Sequence, residues 1–182
     1  MLRVATGLER ISSGDDGVLH LLQGKKLGLC AHPASVDSRL HHARHVFDSR
    51  GLELVALFGP EHGYGGEAQD MISVTDGYAQ ESLPVYSLYG PTEADLSPRP
   101  NQLDGLDAIV IDLQDVGTRI YTYIYTMAYC LKAAKRSGRK VIVCDRPNRI
   151  GGVAVEGPVL AGGYESFVGL YPIAMRHAMT IG

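Results

Sequence analysis

The chain has 182 residues, 45% apolar and 20% charged, with 17 basic against 20 acidic side chains for a net charge of −3. That mix predicts one soluble globular domain with one sizeable core. A slightly acidic chain is poorly suited to neutralise phosphates, which excludes a general nucleic-acid binder, and no run approaches 18 apolar residues, so no membrane-spanning helix is predicted.

The opening MLRVATGLERISSGDDG has no apolar stretch of the secretory-signal type. As it stands the chain reads as cytoplasmic, with a secreted or periplasmic origin open only if a signal was removed. The first strand is predicted over Lys26 to Ala31. Cys30, at its end, belongs with Cys130 and Cys144 to an odd set without CxxC spacing. The three read as buried free thiols. Leu40, Ala43, Val46 and Phe47 then recur at helical spacing, with Gly51 as the stop. On that helix His41, His42 and His45 read as a solvated face. Leu52 to Phe58 (LELVALF) is the second strand.

The segment 59–83 is glycine-rich and lacks periodicity. A loop of that length in a compact domain is usually functional or disordered. Val85 to Leu88 is a short third strand. Ala108 to Leu113 (AIVIDL) is the clearest strand of all. Ile124, Met127, Ala128 and Leu131 mark the apolar face of a helix that ends near Ser137-Gly138. Tyr121, Tyr125 and Tyr129 form a second stripe on it. Lys140 to Cys144 (KVIVC) is the last strand. After Pro147 the chain is glycine-rich again, and RHAMTIG ends without a capping pattern, as an interruption would. Continuous apolar strands separated by helices predict a parallel sheet covered on both faces, an α/β Rossmann-like architecture.

Ligands of open α/β sheets bind outside the carboxyl ends of the strands. Four predicted strand ends carry polar side chains. They supply His32; then Glu61 and His62; then Asp112, Gln114 and Asp115; and finally Asp145, Arg146 and Asn148. Glu61 beside an apolar strand end has the desolvated setting that a general acid needs. His62 either hydrogen-bonds its loop or orients a substrate. Asp112 lies inside an apolar strand, so it should be buried and paired, with Arg119 or Arg146. Asp115 precedes Gly117-Thr118, where it caps the next helix or takes part in catalysis. Arg146 is equally suited to clamp a substrate carboxylate. Tyr121 and Tyr123 open the helix at the same edge, where aromatic faces suit sugar rings. The phosphate-cradling GxGxxG and GxxxxGK[ST] patterns, the GxSxG elbow and HExxH are absent.

These residues fall in blocks that resemble one family. LFGPEHGYGGEAQ (57–69), LPVYSLYG (83–90), IDLQDVGTRIYTYIYT (111–126), DRPNRIGG (145–152), VEGPVL (155–160) and SFVGLYPIAMRHAMTIG (166–182) are similar to the DUF1343 family, whose characterised members are exo-β-N-acetylmuramidases of the NamZ type. The resemblance runs from TGLER (6–10) onward. PEHG and QDVGTRIYTY are its most specific parts. It implies a Rossmann-like catalytic domain over 1–182, whose segment 150–182 begins an inter-domain region. A smaller second domain, which this chain lacks, would close the cleft. It also implies release of N-acetylmuramic acid from the non-reducing end of peptidoglycan fragments in cell-wall recycling.

The resemblance implies no cofactor or metal. Its favoured catalytic residue is Glu61, with His62 and Asp115 beside it. His32, Asp112, Gln114, Arg119, Tyr121, Tyr123, Arg146 and Asn148 are the expected substrate-binding residues. The lactyl carboxylate of muramic acid would account for a cation such as Arg146 or Arg119. A second catalytic carboxylate is open among Asp112, Asp115, Glu156 and Glu165. Two positions depart from the family pattern: His32 stands where Asn is usual, and Ala178 where Gly is usual. Alternative readings are a metal-dependent phosphoesterase using Glu61, His62, Asp112 and Asp145, and a non-catalytic muropeptide-binding domain. Without its second domain the chain is expected to be a poor catalyst and to self-associate through the surface left bare.

Overall fold

The computed structural model describes residues 4–66, 68, 76–78 and 83–182. Most of the segment 69–82 therefore lies outside the described residues. The elements in chain order are α1 (Gly7–Ser13), α2 (Asp16–Leu19), β1 (Leu27–Ala31), α3 (Ala43–Ser49), β2 (Leu54–Gly59), β3 (Gly77–Tyr78), β4 (Pro84–Ser87), a 3-10 turn (Glu93–Leu96), α4 (Pro100–Leu103), β5 (Ala108–Asp112), α5 (Tyr123–Arg136), β6 (Lys140–Val143), β7 (Glu156–Val159) and β8 (Ala174–Arg176).

The main sheet has the order β3-β4-β2-β1-β5-β6. All its neighbours pair parallel except β3, which runs antiparallel to β4. Successive side chains of the central strands go to opposite faces, as the pleat requires. Leu27, Leu29, Ala108 and Val110 pack with Leu8, Ile11, Val46 and Phe47 from α1 and α3. Cys30, Ile109 and Ile111 pack with Tyr123, Cys130, Ala133 and Ala134 of α5. Both faces are covered, which is why these strands read as unbroken apolar runs. All three cysteines are buried and free. None of the described helices is long and apolar enough to cross a membrane.

Five elements differ from the sequence expectation. Leu40 is exposed and stands at φ 64 in a turn, so α3 starts only at Ala43. His42 is its N-cap rather than part of a solvated face: Nδ1 accepts from the Arg44 N–H, and Nε2 donates to the His32 carbonyl. The buried residues of α5 are Tyr123, Tyr125, Thr126, Cys130, Ala133 and Ala134, whereas Leu131 is exposed. Ile124 and Met127 are partly buried against the same core. β3, β7 and β8 were not legible as strands. Each is short, and the last two form a separate antiparallel pair.

The chain runs from β1 out through β2 and β4, then returns to β5 on the other side of β1. The sheet therefore reverses direction between β1 and β5. The carboxyl ends at that switch are where an α/β sheet leaves a crevice. The strand ends after β1, β2, β5 and β6 lie along this one edge.

Candidate active site

Glu61 follows β2 by two residues. The turn that holds it depends on Gly59: a Cβ there would lie 2.4 Å from the Tyr64 backbone nitrogen. His62 adopts φ 72, a left-handed conformation uncommon outside glycine. The turn is closed by Gly63 N–H to the Pro60 carbonyl at 3.0 Å. These constraints place Glu61 against Thr122, the residue heading α5. The Thr122 hydroxyl donates to Glu61 Oε2 at 2.7 Å. Glu61 is only 6% exposed. Its Oε1 makes no hydrogen bond to a described residue.

His62 Nδ1 donates to the Ala68 carbonyl at 3.2 Å, so its role includes bracing the loop. In the neutral ring that leaves Nε2 as an acceptor. Tyr121 and Tyr123 pack edge to face, with ring centroids 4.8 Å apart. Burial pushes both phenols up, and the negative charge of Glu61 adds to the effect at each. Tyr121 also feels Asp115. Tyr121 lies just before α5, so it is not part of a stripe with Tyr125 and Tyr129. Tyr125 is fully buried and its hydroxyl donates to the Arg119 carbonyl, while Tyr129 reaches Glu93.

Most of the other expected substrate contacts are engaged inside the protein. Arg146 donates to both oxygens of Asp112 at 2.7 Å, and to the Val36 carbonyl at 3.0 Å. Asp112 is completely buried, so this clamp ties the end of β5 to the segment after β6. Burial pushes the Asp112 carboxyl above its ordinary range against the pull of Arg146. Burial also works to lower Arg146, but the Asp112 hydrogen bonds more than offset it and leave the guanidinium raised. His32 Nε2 accepts from the Gln114 N–H at 3.0 Å, which closes the β1–β5 switch crevice. Burial, with help from Arg146 and His42, holds His32 down at about 4. The Gln114 amide donates to the carbonyls of Asp115 and Pro147. Arg119 donates to the carbonyls of Pro158 and Ile173 at 2.8 Å each, which ties β7 and β8 to the loop after β5. Asn148 donates to the Met179 carbonyl at 3.1 Å and remains half-buried at the edge.

Asp115 caps no helix, because α5 begins only at Tyr123. Its Oδ2 accepts from Gly117 N–H at 3.0 Å and lies 3.3 Å from His177 Nε2. Its Oδ1 has no partner and is sealed from solvent. Burial pushes this carboxyl up, against the opposing pull of His177. Asp115 therefore braces the loop after β5. Sequence reading missed both Thr122 and His177. The motif blocks containing them were visible, but their partners lie about sixty residues away.

The remaining carboxylate candidates stand apart. Glu156 is exposed and pairs with Arg176 at 2.7 Å. Glu165 is exposed beside a separate groove of about 550 Å³ that Tyr89, Tyr129 and Phe167 also line. Asp145 accepts from Thr180 and Gly182. Among the described residues no three His, Cys, Asp or Glu side chains converge as a metal site would need. The phosphoesterase set of Glu61, His62, Asp112 and Asp145 is thus not brought together, since Asp112 is enclosed with Arg146.

Fold and site together define a Rossmann-like α/β domain whose candidate active site is centred on one glutamate at the carboxyl edge of the sheet. The chain belongs to the family described as "Exo-beta-N-acetylmuramidase NamZ, N-terminal", which matches residues 27–182. It is 49% identical over 164 residues to the peptidoglycan beta-N-acetylmuramidase NamZ of Bacillus subtilis (strain 168), a match covering 88% of this chain and 39% of that protein. Two crystal structures of DUF1343 family proteins from Bacteroides fragilis NCTC 9343 are similar over the whole chain. One has 37% identity and a TM-score of 0.85, the other 29% and 0.76. The chain spans 44% and 45% of their lengths.

Proposed function

We propose that this domain carries the catalytic glutamate of an exo-β-N-acetylmuramidase, which releases N-acetylmuramic acid from the non-reducing end of peptidoglycan fragments. The observation that carries the proposal is Glu61, a carboxylate just after a strand end with one oxygen held by Thr122 and the other without a hydrogen-bond partner among the described residues. Glycoside cleavage needs such a group to move a proton at the glycosidic oxygen. His62 stands next to Glu61 in sequence, and the half-buried Tyr121, packed on the core residue Tyr123, offers an aromatic face with a hydroxyl for a sugar ring. The name of the Bacillus relative supplies the substrate class. Asp112, Arg146, His32, Gln114 and Arg119 are assigned to holding the strand ends in register, and Asp115 to holding the loop that presents Tyr121 and Thr122.

The test is Glu61→Gln in this chain and at the matching glutamate of the full-length Bacillus relative, assayed on a chromogenic N-acetylmuramide. Turnover should fall by about 10²-fold or more, the usual scale for general acid–base catalysis. Near-normal turnover in a folded variant overturns the assignment, and binding without any turnover by either unmutated protein points to the non-catalytic muropeptide-binding reading. We further propose that the 182 residues by themselves turn over poorly and self-associate. Val153, Val155, Val159, Tyr164 and Val168 are exposed on the segment after β6, and apolar patches of this kind favour association. A chain that sediments as a monomer at high concentration, or matches the full-length relative in rate, removes that part.

A further inference from the structure

We propose that Thr122 is a positioning residue for the Glu61 chemistry: it selects Oε1 as the oxygen that moves the proton. The inference rests on the reading of Glu61 as the catalytic carboxylate, and it deepens that reading.

Thr122 occupies the N-cap position of α5, a fourteen-residue helix. A threonine there normally turns its side-chain oxygen onto a backbone N–H of its own first turn. This one makes no such cap. Its backbone is already helical, at φ −71 and ψ −13, and its carbonyl accepts the first helical bonds from Tyr125 N–H at 2.9 Å and Thr126 N–H at 3.1 Å. The hydroxyl is turned away from its helix to Glu61 Oε2, across 61 residues of sequence. It forgoes the local cap and serves the carboxylate.

The geometry restricts what Glu61 can do. A glutamate side chain has several rotatable bonds and swings easily unless something holds it. Here the contact with Oε2 is short, at 2.7 Å, and buried. Thr122 itself is 7% exposed, and its β-branched side chain has few rotamers from which to aim the hydroxyl. It is the one side chain among the described residues that hydrogen-bonds Glu61. With Oε2 occupied and no described partner on Oε1, Oε1 is the atom left to meet a glycosidic oxygen. Such placement matters, because a misplacement of about 1 Å at a reacting group can cost about 10²-fold in rate.

The role separates from a merely structural one. Thr122→Val keeps the shape and removes the hydroxyl, and no side-chain cap is lost with it. In the full-length protein, kcat should fall about tenfold or more, the scale of one lost hydrogen bond to a charged group, with KM within about twofold. Thr122→Ser should restore most of kcat. In a Glu61→Gln background, adding Thr122→Val should have no further effect, because the group it positions is already disabled. Unchanged kcat in a folded Thr122→Val protein overturns the proposal, as does a Thr122→Ser protein as slow as Thr122→Val. The two readings fail separately. Loss of activity in Glu61→Gln with normal Thr122→Val removes only the positioning role. Normal activity in Glu61→Gln removes the catalytic assignment and the positioning role with it.

Discussion

Two of the buried carboxylates at the carboxyl edge of this sheet, Asp112 and Glu61, have surroundings that differ in kind. Asp112 ends β5 with both oxygens clamped by one guanidinium and no exposure at all. Glu61 follows β2 with a single neutral hydroxyl on one oxygen and no partner among the described residues on the other. The first arrangement is closed: every strong acceptor site is satisfied by a rigid cation that also grips the Val36 carbonyl. The second leaves an acceptor for something that is not part of the protein. Burial alone does not mark a catalytic acid. What separates the two is whether the protein completes the group's hydrogen bonding itself.

The largest effect should come from opening the closed site. Asp112→Ala leaves Arg146 buried without its partner, and truncating one member of such a pair typically costs about 3–5 kcal/mol. Urea unfolding of the variant measures this. A double replacement, Asp112→Leu with Arg146→Met, should recover much of the loss, because no unpaired charge remains. A loss under about 1 kcal/mol in the single variant would reduce the clamp to an ordinary surface pair.

His32 beside that clamp gives the next effect. Its folded-state value is about 4 against an ordinary 6.5. Between those values the unfolded chain takes up a proton that the folded protein refuses. Stability should therefore fall as pH drops from about 6.5 toward 4, by at most about 3 kcal/mol. His32→Asn keeps an acceptor for the Gln114 N–H and should flatten this part of the curve. Parallel pH–stability curves for the two proteins would remove His32 from the account.

The turn under Glu61 should be more tolerant than the clamp, but not indifferent. Gly59→Ala sets a methyl against the Tyr64 backbone, and forced packing of that kind typically costs about 1–3 kcal/mol. It should also lower turnover, since the same turn carries Glu61. Unchanged stability and rate would mean that the loop has room to shift. The smallest effect belongs to Glu61→Gln itself. Its thermal midpoint should stay close to that of the unmutated chain, a change within about 1 kcal/mol, because one neutral contact is all that it risks. A loss as large as that of Asp112→Ala would place Glu61 in the same structural class and erase the contrast.

Local pattern determined much of this protein. Unbroken apolar runs fixed β1, β2, β5 and β6, because a strand covered on both faces must be apolar throughout. The aspartate inside such a run announced its own burial, and an arginine partner followed from the cost of burying a charge alone. The family blocks singled out Glu61. Tertiary structure alone decided which arginine Asp112 takes and that Asp115 faces His177 rather than a helix. It also decided that α5 buries Tyr125, Cys130 and Ala134 and leaves Leu131 exposed. It brought Thr122, which by its own neighbourhood should cap α5, onto a glutamate 61 residues earlier. The reason is range: periodicity and propensity report on a few residues along the chain, whereas a hydroxyl chooses its acceptor among whatever the sheet order brings within 3 Å.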